Sequence, residues 1–115
     1  MEIKNGVKDW VHILGERWNV VRRTKAEDPR LADCAGLTDP SVREMVIAAT
    51  EPGENDLGNP EQDDKRILRH EIVHAFMFES GLGCNSDWAH NEELVDWIAL
   101  QMPKLIRAMM SMDAL

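Results

Sequence analysis

Apolar residues recur through the first half of the chain in short runs rather than at helical spacing. Val11-His12-Ile13-Leu14, Trp18-Asn19-Val20-Val21 and Met45-Val46-Ile47-Ala48 are each apolar-rich and separated by turn formers, the pattern of short β-strands. Gly15 and the Asp39-Pro40-Ser41 cluster are the natural turns between them. These runs predict a small, mainly antiparallel sheet, preceded by a short helical turn at about residues 5–10.

Beyond the third run the pattern changes. Residues 51–59 contain Pro52, Gly53, Asn55 and Gly58 among acids, with no apolar period, which predicts a solvated loop. Asn59 can cap a helix, Pro60 suits its first position, and Gln62 completes a capping box, while Gly81 is positioned to end it. One helix is therefore predicted over residues 60–80. A second is expected from Ser86 or Asp87 through Trp88 and Trp97, broken or kinked at Pro103. Leu105, Ile106, Met109 and Met110 then predict a third, amphipathic helix. The expected fold class is α+β, in one domain over residues 1–115.

Composition narrows the function. Apolar residues form 43% and charged residues 30% of 115 residues, which is enough to fold around one core and too little chain for a separate substrate domain. The net charge of -8, with no basic stripe, excludes nucleic acid as the expected partner. No apolar run approaches the ~20 residues of a membrane span, and no leader pattern opens the chain. A cytoplasmic location without membrane attachment is expected. Cys34 and Cys84 form no CxxC pair and read as reduced, partly buried thiols. Trp10, Trp18, Trp88, Trp97, Phe76 and Phe78 read as core or rim packing.

The chemistry concentrates in His70-Glu71-Ile72-Val73-His74, inside the first predicted helix. Residues i and i+4 share a helix face, so His70 and His74 can aim two imidazoles at one metal ion. Glu71 lies about 100° further round, where its carboxylate can reach a metal-bound water without ligating the metal. A catalytic zinc site needs a third protein ligand from a neighbouring element. Glu92 is the first candidate, with Glu93 and His90 as alternatives. Asp96, four residues after Glu92, can share its face and orient an imidazole from behind. The expected activity is hydrolysis of a peptide or protein substrate by a metal-bound water that Glu71 activates. Zinc is the expected cofactor.

HExxH followed by Asn91-Glu92-x-x-x-Asp96 resembles the thermolysin-like gluzincins. That resemblance implies a zincin-like domain in which Glu92 ligates zinc and Asp96 supports a histidine. The short chain, with Trp97-Ile98-Ala99-Leu100-Gln101 after the acidic pair, looks more like the ImmA/IrrE-type metallopeptidases and their phage-associated relatives, which often carry Asn where Asp96 stands. It implies a role in phage or prophage regulation, through cleaving or disabling a repressor of mobile elements. The chain departs from the large gluzincins in having no tyrosine, so the oxyanion-stabilising residue is unassigned among His90, His12 and Arg107.

The competing reading from another class is a non-catalytic, zinc-stabilised interaction module. Glu71 argues against it, because a structural site needs no base beside its ligands. The apolar stripe of residues 103–115 is expected to pack in the core, with an inhibitory cover over the cleft as its alternative.

Overall fold

A computed structural model describes residues 9–49 and 60–115. The predicted loop at 51–59, the Asn59 cap and most of the helical turn at 5–10 lie outside the described residues; Trp10, its last residue, is in a strand.

Four strands form one sheet: β1 (Trp10–Ile13), β2 (Glu16–Arg23), β3 (Gly36–Asp39) and β4 (Glu44–Ala48), in the spatial order β1-β2-β4-β3. β1 and β2 make a tight hairpin in which Ile13 faces Glu16, and Leu14 and Gly15 turn the chain with φ of 51° and 87°. Two consecutive positive φ angles match the twist of a two-residue hairpin loop. Asp39-Pro40-Ser41 opens the second turn, where Asp39 Oδ1 accepts from the Ser41 amide at 3.1 Å.

The sheet is mixed: both outer pairings are antiparallel, as expected, but its central pair, β2 and β4, is parallel. The strand that sequence reading missed is β3. It is four residues long, begins at a glycine and ends on a turn former, so it carries almost no apolar alternation of its own; its partner β4 supplies the ladder.

α1 (Pro60–Glu79) crosses one face of the sheet. Leu68, Ile72 and Ala75 form its apolar stripe against a core of Ile13, Trp18, Val20, Met45 and Ile47. Both ends of that stripe are polar locks. Arg22 Nη2 donates to Asp64 at 2.7 Å, and the indole of fully buried Trp18 donates to Glu79 at 3.0 Å. Gly81, with φ of 85°, follows the helix end as its pattern predicted.

A short α2 (Leu82–Asn85) and a 3₁₀ turn at Asp87–His90 lead to α3 (Glu92–Ser111). The helix expected from Ser86 or Asp87 thus begins later. Asn91 Oδ1 accepts from the Leu94 amide at 2.8 Å and caps the helix there.

Nor does Pro103 break it: α3 continues to Ser111, and the expected third helix is its second half. Proline leaves the carbonyl four residues earlier without its helical donor, and Arg69 Nε of α1 donates to that Ala99 carbonyl at 2.6 Å. The expected core packing of residues 103–115 does not occur. Ile106, Met109, Met110, Met112 and Leu115 are exposed. Among the described residues no helix is long and apolar enough to cross a membrane.

Candidate metal centre

The two histidines of α1 meet the first residue of α3. His70 Nε2 lies 2.9 Å from one oxygen of Glu92, His74 Nε2 lies 3.0 Å from the other, and the two ring nitrogens are 3.1 Å apart. The cap at Asn91 fixes this meeting, since it starts α3 so that Glu92 opens the first turn. The helix spacing of four residues supplies the rest. Of the three candidate third ligands, Glu92 faces the imidazoles. Glu93 does not line the cleft, and His90 is held by donating from Nε2 to the Gly83 carbonyl.

Neutral imidazole nitrogens and carboxylate oxygens all offer lone pairs, and one such atom from each residue lies within 4.8 Å of the others. A zinc ion with bonds of ~2.0–2.1 Å spaces tetrahedral ligands roughly 3.3 Å apart, close to the separations found here. The donor set therefore fits a divalent metal.

Asp96 stands behind His70, with Oδ1 3.4 Å from Nδ1, and the same oxygen accepts from Arg66 Nη1 at 3.0 Å. A proton on Nδ1 leaves Nε2 free to face the cluster. Arg66 was missed in the sequence, although its position four residues before His70 puts it on the same helix face.

Glu71 points toward the sheet edge and is 5% exposed. Thr38 Oγ1 of β3 donates to its Oε1 at 2.8 Å and to its backbone carbonyl at 3.2 Å. A Cβ on Gly36 would come within 3.1 Å of Glu71 Oε2, of an Ile67 methyl and of the Val46 carbonyl, so this glycine makes room for the carboxylate. Burial raises the Glu71 carboxyl above the usual carboxylate range, while Thr38 and the imidazoles of His70 and His74 oppose the rise. Neither Thr38 nor Gly36 was legible as a site residue, because β3 itself was not.

These groups line an open cleft of about 450 Å³ whose walls include Leu37, Ile67 and Phe78. β3 forms one side and is the last strand of the sheet. His90 reaches the cleft with its ring against Phe78. His12 and Arg107 do not line it.

No residue beyond Asp96 lines it either, so the end of α3 does not cover the centre. Cys34 also lines the cleft, and both Cys34 and Cys84 are exposed rather than partly buried. Trp88, Trp97 and Phe76 are exposed as well, leaving Trp18 as the tryptophan of the core. Compared with protein-family models, with curated proteins and with solved structures, the chain matches none.

Proposed function

We propose that this protein is a zinc-dependent metallopeptidase with a minimal zincin-like centre, in which His70, His74 and Glu92 hold the ion and Glu71 is the general base. The observation that carries the reading is the convergence of two Nε2 atoms and one carboxylate beside a buried second carboxylate, on an open cleft. Zinc bound to that set supplies acidification of a water molecule and polarisation of a carbonyl group.

The remaining work belongs to the chain. Asp96 orients His70, and Thr38 holds Glu71 by Oε1 and so fixes its carboxylate beside the cluster. Glu71 accepts the proton of the attacking water and returns it to the leaving amine nitrogen. An extended peptide laid beside β3 would gain main-chain hydrogen bonds from the edge that no other strand pairs among the described residues, and set its side chains against Leu37 and Phe78. The substrate class that follows is a protein with an exposed extended segment. The resemblance of the His70–His74 and Asn91–Asp96 motifs to those of phage-associated metallopeptidases supports a phage or prophage regulator as that protein.

Metal analysis of protein purified without chelator or added metal tests the reading. About one zinc per chain is expected, kept in Glu71→Gln and weakened in Glu92→Ala, with peptide hydrolysis lost in both. Full zinc occupancy with no hydrolysis of any unfolded protein or peptide mixture would favour the interaction module instead. Absence of stoichiometric metal from the wild type would reject both.

A further inference from the structure

The centre is built from side chains of two helices, so its geometry depends on the register between α1 and α3. Polar contacts join them at three levels: His70 and His74 to Glu92, Arg66 and His70 to Asp96, and Arg69 to the carbonyl of Ala99. The first two connect flexible side-chain ends. Only the third reaches the backbone of α3.

That third contact exists because of Pro103. In an uninterrupted helix the amide of residue 103 would occupy the Ala99 carbonyl, but proline has no amide hydrogen. Ala99 is completely buried, so water cannot take over, and the guanidinium donates at 2.6 Å. Arg69 immediately precedes His70, and Ala99 lies two turns after Glu92, on the same face of α3. Sliding α3 by one residue would shift Glu92 by about 1.5 Å along the axis and turn it by about 100°, which the contacts of 2.9 and 3.0 Å to the imidazoles could not survive.

We propose that Arg69 is a positioning residue for the centre, and that Pro103 is the device that frees its anchor point on α3. The inference rests on the metal-site reading for its functional half and on helix geometry alone for its structural half.

The test uses the full chain as wild type, Arg69→Met, Pro103→Ala and the double variant. Pro103→Ala restores a helical donor to the Ala99 carbonyl, so the loss of Arg69 should matter less there. In metal-free protein, Arg69→Met is expected to lower the urea midpoint clearly with Pro103 present and by less than half as much with Ala at 103. Zinc affinity, measured by competition with a chromophoric chelator, is expected to fall ~10–100-fold in Arg69→Met, the range typical of groups that support metal ligands. Arg69→Lys should recover part of it, and supplies the comparison if Arg69→Met does not fold.

Additive urea effects would overturn the pairing of Arg69 with Pro103. Coupled urea effects with unchanged zinc affinity would overturn the positioning role. If wild type takes up no zinc, the metallopeptidase reading fails separately. The positioning role then stands or falls on the imidazole ¹⁵N resonances of His70 and His74 in metal-free protein. Arg69→Met must move them and the double variant must return them toward wild type.

Discussion

Two of the polar clusters among the described residues are built on opposite principles. In the first, Asp28 accepts from Arg30 Nη2 at 2.8 Å and from Arg23 Nη1 at 3.2 Å; Arg23 also reaches Glu44, and Arg30 reaches Asp39. Every carboxylate there meets a guanidinium, and the hydrogen bonds of Arg30 hold the Asp28 carboxyl down at about 2. Near α1, by contrast, ring nitrogens of His70 and His74 converge on the Glu92 carboxylate, with Glu71 and Asp96 adding two further carboxylates. The one guanidinium among them, Arg66, is shared between Asp96 and Asp63. A cluster in which every carboxylate has a cationic partner is an end in itself. One that gathers donor atoms of a single kind is suited to a cation from outside.

Zinc affinity is the sharpest way to break this contrast. His74→Ala removes a ligand and is expected to weaken zinc binding by more than about 100-fold, beyond what a supporting group carries. Calorimetric titration with zinc checks it, and an affinity within tenfold of wild type would dissolve the distinction between the clusters. Asp96→Asn keeps the shape of the side chain but loses the charge behind His70. A roughly 10–100-fold weaker affinity is expected, measured by chelator competition.

Thr38→Val takes a hydrogen bond from the buried Glu71 carboxylate and nothing from the ligands. About a tenfold loss of kcat/KM is expected, from the ~1.5 kcal/mol that such a bond to a charged group carries, with zinc affinity within a factor of two. The smallest effect on zinc belongs to the guanidinium-paired cluster. Asp28→Asn should leave zinc affinity unchanged and lower stability above about pH 4.

The sign for Asp28 follows from its lowered value. With about 2 in the folded protein against ~3.9 in an unfolded chain, its stabilising contribution is complete above about pH 4. It is lost as pH falls toward 2. Melting temperatures of wild type and Asp28→Asn should differ most above pH 4 and converge near pH 2. A constant gap across that range would mean that the carboxylate charge is not what Asp28 contributes.

Most of the architecture and the outline of the site can be read without coordinates, for definite reasons. The histidine helix carries its own punctuation in Pro60 and Gly81, and a spacing of four residues needs no tertiary information to put His70 and His74 side by side. The order in which strands pair is another matter. Nothing local to β2 or β4 says that they run parallel, and β3 is too short and too interrupted to declare itself. Thr38 and Gly36 were hidden with it. Pro103 misled because its local rule is sound: proline does remove a helical hydrogen bond. The compensation comes from Arg69, thirty residues before the Ala99 carbonyl it reaches, and no pattern within α3 could announce it.

The parallel seam between β2 and β4 also sets an order of events. The sheet is two hairpins, β1 with β2 and β3 with β4, each closed by a short turn, and hairpins form in roughly 1–10 μs. Their union across the seam brings together strands separated by a crossover, a slower step because the intervening loop must be closed first. Thr38 and Gly36 ride on the second hairpin, while Glu71 rides on a helix still further along the chain. The candidate base is thus enclosed only when the second hairpin and α1 have docked, so a half-folded chain carries an ordinary solvated glutamate at position 71. The proposed hydrolytic activity should therefore return during refolding with the final tertiary phase, and not with the earlier growth of secondary structure.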